Sequence, residues 1–143
     1  MNAEELKLRT KQFALRVLKL VAALPNNIQG RAIGGQLVRA GTSVGSNYRA
    51  ACRGRSKAEF ISKLGVVEEE ADESAFWLEL IIESSLLQAR VVQPLLNEAN
   101  ELTRIMASSR ITAKTRLTKS TRLTKSKRTV AMKIGNRQSA IDN

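Results

Sequence analysis

The chain has no histidine, a single cysteine, two prolines and five aromatic residues (one Trp, one Tyr and three Phe) in 143 positions. Without an imidazole, Cys52 has no neighbouring base of the kind that activates a thiol nucleophile, and one cysteine excludes an internal disulfide. Bundle proteins that bind di-iron use a Glu-x-x-His pair, which this chain cannot supply. We therefore predict a binding or assembly protein that is not an enzyme, with no catalytic residue, metal or cofactor.

Long apolar runs are also missing. No run approaches the roughly 18 residues that a membrane span requires, and the N-terminus lacks the apolar core of a signal peptide. We expect no membrane partner and a cytoplasmic location.

The scarcity of aromatic residues limits how the chain can contact nucleic acid. Aromatic residues make up 3% of the sequence, and none is interleaved with the basic stretches. Single strands are usually held by stacking on aromatic rings, so no such platform is predicted. Any nucleic-acid binding should be electrostatic and weakly sequence-specific.

What the chain has in excess is positive charge, and its distribution is uneven. The net charge is +11. Residues 1–107 carry 14 Lys and Arg against 12 Asp and Glu, a net +2, whereas residues 108–143 carry 10 against 1, a net +9. The two parts of the chain therefore require separate interpretations.

Residues 1–110 show the apolar periodicity of amphipathic helices. A first helix is predicted between Glu4 and Leu24, ending at Pro25, and a second is predicted to begin near Ile28 or Arg31. Five glycines at positions 30–45 weaken the second helix, and those at 30–35 fit either its first turns or the preceding loop.

Two further helices complete the pattern. Ser56 and Glu59 form a capping-box sequence that starts a third helix, whose apolar residues recur every three to four positions from Phe60 to Ile81. Pro94 is expected to start a fourth. Four helices joined by short connections predict an all-α fold, an antiparallel up-down four-helix bundle over residues 1–110.

Residues 111–143 differ from the rest. The hexamer TRLTKS occurs twice in succession between Thr115 and Ser126. A period of six matches neither a helix nor a strand, and the surroundings are rich in Lys, Arg, Ser and Thr. We predict a disordered basic C-terminal tail.

The turn between the second and third helices concentrates positive charge. Arg49, Arg53, Arg55 and Lys57 lie close enough in sequence to act together on a phosphate backbone, and Lys63 and Arg39 would extend the patch if they face the same side. The alternative is an ordinary solvated turn. We predict this turn as a nucleic-acid-binding site.

The tail offers a second set of cations. Residues 108–143, the tail with the residues just before it, carry ten cations, which could neutralise several phosphates. The alternative is an inert product of repeat expansion. A membrane-surface role ranks third, because the tail lacks a strong apolar face. The tail residues predicted to contact nucleic acid are Lys114, Arg116, Lys119, Arg122, Lys125, Lys127 and Arg128.

An acidic cluster occupies residues 68–73 of the third helix. Carboxylates at this spacing allow a magnesium site, but pairing with Arg or Lys across a helix or subunit interface is favoured. We predict Glu69, Glu73 and Trp77 as contacts between subunits. Asn47 is predicted to fix helix register, and Cys52 to be a small buried apolar residue.

The run SVGSNYRAACRGRSKAEFISKLGVVEEEADESAFWLELI, residues 43–81, resembles bacterial four-helix-bundle proteins related to those encoded in intervening sequences of large-subunit ribosomal RNA genes. The accessory variability proteins of diversity-generating retroelements resemble the same group. The matching features are Asn47, the Arg53 to Lys57 turn with its Ser56 cap, Phe60, Glu69, Glu73 and the Trp77-Leu78 pair. The resemblance covers roughly residues 5–110, so it carries no information on the tail.

The resemblance implies a bundle that assembles into a ring, a homopentamer, and the retroelement relatives imply a basic surface that holds nucleic acid and a reverse transcriptase. Most members of the group have no established function. We therefore expect an oligomeric RNA- or DNA-binding accessory protein. The alternative is a structural oligomer or protein scaffold whose basic tail is incidental.

Overall fold

A computed structural model describes residues 1–142 as four helices with no strand among them. The helices are α1 (Ala3–Ala22), α2 (Ile28–Cys52), α3 (Lys57–Glu83) and α4 (Ala89–Asp142). Each packs against its neighbours in sequence, and α1 also meets α4. The predicted all-helical fold of four helices is confirmed, and the contacts fit an up-down bundle.

The first three helices begin at side chains that accept hydrogen bonds from otherwise unpaired backbone N–H groups. Asn2, Asn27 and Ser56 each accept from the N–H three residues further along. At Ser56 the reciprocal half of the predicted box is absent, because the Glu59 carboxylate accepts from the N–H of Arg55. The complete capping box is instead at Asn2 and Glu5.

The core consists of the apolar positions that recur every three to four residues. Fully buried side chains from all four helices include Phe13, Leu37, Leu64, Leu78 and Leu102. In α4 the buried positions end at Met106. The packed bundle is therefore formed by α1 to α3 and the first part of α4.

Glycines in α2 allow α1 to approach closely. Residues 30–35 are helical, so the loop alternative for these glycines is wrong. A Cβ atom on Gly41 would lie 2.7 Å from a methyl carbon of Val17, and one on Gly45 would lie 3.3 Å from the Thr10 carbonyl oxygen. The close contact explains why α2 retains residues that weaken an isolated helix.

The start of α4 differs from the prediction. The helix begins at Ala89, so Pro94 lies within it. A proline at this position removes one backbone donor, yet Val92, which precedes the proline, is fully buried, and so is most of Leu95 after it. Packing therefore extends the helix past the residue that was expected to start it.

The prediction of a disordered tail is wrong, because α4 continues without interruption to Asp142. Residues 112–134 contain no Gly or Pro, and Leu, Lys and Arg are good helix formers. The bundle supplies the nucleus of α4, so the tail needs only to propagate a helix that already exists. Five threonine hydroxyls, from Thr115 to Thr129, donate to carbonyls four residues back, so they are satisfied within the helix.

We call residues 111–142 the α4 extension. Arg110 donates to Glu68 of α3 at 2.8 Å, and beyond it nearly every residue is exposed. With a rise of 1.5 Å per residue, the α4 extension is about 48 Å long. Because α4 returns alongside α3 towards the start of that helix, the α4 extension leaves the bundle at the end where the α2–α3 turn lies.

Two ion pairs tie α4 to its neighbours. Arg9 donates twice to Glu98, at 2.6 and 3.0 Å, which links α1 to α4. Hydrogen bonding to Glu98 raises the pKa of Arg9, and hydrogen bonding to Glu68 likewise raises the pKa of Arg110.

Over residues 1–142, none of the helices combines the length and apolar character needed to cross a membrane.

Candidate nucleic-acid interface

The α2–α3 turn and the helix ends beside it form the first candidate site. Arg49, Arg53, Arg55 and Lys57 are all exposed there. Arg49 is in the last turn of α2, and Arg53 is its C-cap residue, where the helix dipole favours cations. We call these four residues the basic end. The structure brings all four predicted residues to one end of the bundle.

The four residues of the basic end line two different hollows. Arg49 and Arg53 line an open groove between α1 and α2. Arg55 and Lys57 line a smaller hollow formed by the turn itself together with Cys52 and Phe60. Residues of α2 line both hollows, Arg49 and Ala50 in the first and Ala51 and Cys52 in the second.

The groove adds two cations that sequence reasoning missed. Lys7 and Lys11 of α1 line it opposite Arg49, and Glu4 is the acidic residue on its wall. Glu4 accepts a 2.9 Å hydrogen bond from Lys7. Lys7 and Lys11 are four residues apart, so they share a face of α1, but only the antiparallel pairing of α1 with α2 places that face beside Arg49.

Arg39, proposed as an extension of the patch, belongs elsewhere. Its guanidinium pairs with Glu73 and lies 3.3 Å from Glu70, both on α3. These hydrogen bonds raise the pKa of Arg39, chiefly through Glu73. Lys63 is half-buried on α3, two turns beyond Lys57. Arg39 therefore helps to hold α2 to α3, whereas the role of Lys63 stays a prediction.

The tail cations lie on a helix instead of a flexible chain. Lys114, Arg116, Lys119, Arg122, Lys125, Lys127 and Arg128 are all exposed along the α4 extension. Lys133 and Arg137 continue the series, and Asp142 is the one acidic residue in it. The extension is thus a rod of positive charge that begins beside the basic end.

The predicted subunit contacts lie together on the outer side of α3. Glu73 accepts from Arg39 and, at 3.3 Å, from the indole N–H of Trp77. The Arg39 hydrogen bond is the main cause that lowers the pKa of Glu73. Glu69 is exposed, and Phe76, half exposed, packs edge-on against Trp77 with ring centroids 5.0 Å apart. Contact with another subunit through this face stays a prediction.

Three other residues have local roles. Asn47 donates to the Ser43 carbonyl of its own helix at 2.9 Å, so this bond does not set the register between helices. Tyr48 is buried, and burial raises the pKa of its hydroxyl. Cys52 is half-buried against the core.

Within residues 1–142, no group of three Cys, Asp or Glu side chains is arranged to hold a metal ion.

Comparison with known proteins gives a matching family and similar solved structures. Residues 5–108 match the model of the 23S rRNA-intervening sequence protein family. A crystal structure of a protein of unknown function from the S23 ribosomal protein family of Bacteroides thetaiotaomicron is 32% identical in sequence. It covers 72% of this chain and 95% of its own, with a TM-score of 0.68. The comparison with curated proteins gives no match. From the extent of the family match, the chain belongs to the 23S rRNA-intervening sequence protein family.

Proposed function

We propose that this protein is a non-enzymatic nucleic-acid-binding protein whose basic end and α4 extension contact phosphates. The observation that carries the proposal is the shared position of the two basic surfaces. Four exposed cations lie at one end of the bundle, two lysines line the groove that contains Arg49, and the α4 extension leaves the bundle at the same end. The family's description refers to rRNA, which is a weak indication that RNA is among the ligands.

The charge distribution also predicts how binding should respond to salt. Each phosphate contact made by Lys or Arg releases counterions, so affinity falls steeply as salt rises. If about six contacts form, affinity should fall by about 10³-fold between 50 and 200 mM salt. Sequence preference should be weak, since residues 1–142 present few aromatic rings for stacking.

The proposal is tested by replacing Arg49, Arg53, Arg55 and Lys57 with Gln in the full-length chain. Binding of fluorescent RNA and DNA is measured by anisotropy across the salt range. The matched control replaces four exposed cations elsewhere on the bundle, Arg16, Lys19, Arg31 and Arg90. The basic-end variant should lose at least about tenfold in affinity and show a shallower salt slope, while the control should stay near wild type. Absence of nucleic-acid binding by the wild-type chain at 50 mM salt would refute the proposal.

We also propose that the protein acts as a homo-oligomer, a pentameric ring, with Glu69, Glu73 and Trp77 at the contact between subunits. The supporting observation is the partly apolar surface of α3, where Val66 and Phe76 are exposed and Trp77 is half-buried. Phe76→Ser should shift the sedimentation coefficient towards that of a monomer, while Glu79→Ser, also exposed on α3, should not. A wild-type monomer at micromolar concentration would contradict the assembly.

The second candidate function is a structural oligomer that scaffolds another protein. The same exposed face of α3 favours it, because a ring that leaves such a face open could dock a partner, including a reverse transcriptase. Salt dependence separates the candidates, since a scaffold with an incidental basic helix should bind little nucleic acid at any salt concentration.

A further inference from the structure

The α4 extension carries its charge on defined sides of the helix. At 3.6 residues per turn, successive residues are about 100° apart around the axis. One row contains Lys114, Lys125 and Arg128, which fall within about 60° of one another. A second row, within about 80°, contains Arg116, Lys119, Lys127 and Arg137. The two rows lie on opposite flanks of the helix.

Between the flanks, the remaining two sides differ. One side has no cation and consists mainly of small or uncharged residues, namely Ala113, Leu117, Ser120, Thr124, Ala131 and Gly135. It continues the side of α4 that faces the core at Leu102 and Met106. The opposite side carries Arg122 and Lys133. Cations are thus absent from this side, and its one charged residue, Asp142, lies at the last turn of the helix.

We propose that the α4 extension lies in the major groove of a B-form DNA duplex. A helix in that groove has a phosphate backbone on each flank, base edges beneath it and solvent behind it. The two cation rows match the two backbones, the cation-free side matches the groove floor, and Arg122 and Lys133 face solvent. The groove is about 12 Å wide and admits an α-helix, whereas the major groove of A-form RNA is too narrow.

Repulsion within the extension also favours an anionic partner. Lys119, Arg122, Lys125 and Arg128 follow one another at steps of three, and like charges at this spacing destabilise a helix. A second copy of the extension would add to the repulsion, since residues 111–142 carry nine cations and one anion. Phosphates on both flanks would relieve it.

This inference rests on the proposed nucleic-acid function and adds the form of the ligand and the side of the helix that meets it. Two double variants of the full-length chain test it, and each removes two charges from exposed positions outside the bundle. The flank variant is Lys125→Gln with Lys127→Gln, one residue from each row. The back variant is Arg122→Gln with Lys133→Gln. Arg122 is one of the tail residues predicted from the sequence to contact nucleic acid, and this inference replaces that prediction, because Arg122 lies on the solvent side of the helix. A flexible polycation would respond equally to both.

Binding is measured by anisotropy with a 24-base-pair DNA duplex, its single strand and an RNA duplex of the same length. The flank variant should lower the logarithmic salt slope on duplex DNA by about 1.8, and the back variant should leave it unchanged. Wild-type protein should protect guanine N7, which lies in the major groove, from methylation. Equal effects of the two variants, or tighter binding to RNA duplex or single strand than to duplex DNA, would overturn the inference.

A helix-breaking substitution provides a second test that leaves charge constant. Thr121→Pro interrupts the exposed α4 extension, and Thr121→Ala is its control. The proline variant should lose about tenfold in affinity for duplex DNA, while the alanine variant should bind like wild type. If the proline variant binds as well as wild type while the basic-end variant binds poorly, this inference fails and the proposed function stands. If the wild-type chain binds no nucleic acid, both fail.

Discussion

The two parts of α4 form one helix under different physical conditions. From Val92 to Met106 the helix presents six fully or largely buried residues to the core. Glu98 pairs with Arg9 of α1, and Arg110, just beyond this stretch, pairs with Glu68 of α3. In the α4 extension every residue from Thr118 onwards is exposed, and cations outnumber anions by nine to one. The first part is helical because it packs, and the second because it continues a helix that packing has already formed. Stability therefore resides in the bundle, and the extension is free for a ligand.

The largest difference is expected when a leucine is truncated in each part. Leu102 is fully buried and Leu123 is 58% exposed. Leu102→Ala should lower the free energy of unfolding by about 2–5 kcal/mol through lost burial and a residual cavity. Leu123→Ala should change it by less than about 0.5 kcal/mol. Urea denaturation checks both, and a loss above about 1 kcal/mol for Leu123→Ala would mean that the extension packs against the bundle.

Glycine substitutions should act in opposite directions in the two parts. A Cβ at Gly41 would meet the buried side chain of Val17 at 2.7 Å, so Gly41→Ala should destabilise the bundle by about 1–3 kcal/mol. At Gly135 nothing lies within 4 Å, so alanine should only favour the helix, by up to about 1 kcal/mol locally. Thermal unfolding measures the first change and far-UV circular dichroism the second. A Gly41→Ala variant as stable as wild type would rule out the close α1–α2 contact.

A smaller difference is expected for single cations. Arg9 donates twice to Glu98 between α1 and α4, with both side chains less than one-third exposed. Arg9→Gln should cost about 1 kcal/mol, because it weakens a two-bond ion pair at this helix contact. Arg122→Gln, in the extension, should leave the free energy of unfolding unchanged. Equal losses in chemical denaturation would show that the pair adds nothing.

The smallest effect is a pH dependence confined to the bundle. The folded pKa of Glu73 is lowered, chiefly by Arg39, so its contribution to stability is present above the usual pKa near 4.5 and is lost as pH falls through the folded value. Trp77 donates to the same carboxylate, and it is the only tryptophan, so its fluorescence should report the titration. Arg39→Gln should raise the midpoint pH of this fluorescence titration towards 4.5. An unchanged midpoint would exclude Arg39 as the cause of the lowered pKa.

Sequence periodicity predicted the bundle because burial and spacing are linked there. Phe13, Leu37 and Leu64 recur with the expected neighbours and are buried. The same reasoning failed for the α4 extension. The six-residue repeat forms no apolar face, so its pattern does not indicate a helix. A helix that is already formed by packing can nevertheless continue into a segment that has no apolar face. The prediction that a helix starts at Pro94 was wrong for a related reason, because burial of Leu95 and Leu96 outweighs the one backbone hydrogen bond that the proline removes.

The candidate site was predictable only where its residues are neighbours in sequence. Arg53, Arg55 and Lys57 share a turn, so their clustering could be inferred directly. Lys7 and Lys11 join them through the pairing of α1 with α2, which the sequence does not show. Arg39 was misplaced because its pairing with Glu73 depends on how α2 faces α3.

Amide hydrogen exchange of the full-length chain, alone and with a 24-base-pair DNA duplex, tests the central claim most directly. Bundle amides of residues 3–106 should exchange slowly in both states. Amides of residues 118–142 should exchange rapidly in the free protein, because every residue there is exposed, and slowly in the complex. Extension amides whose exchange is the same with and without DNA, in a chain that binds the duplex, would contradict the account.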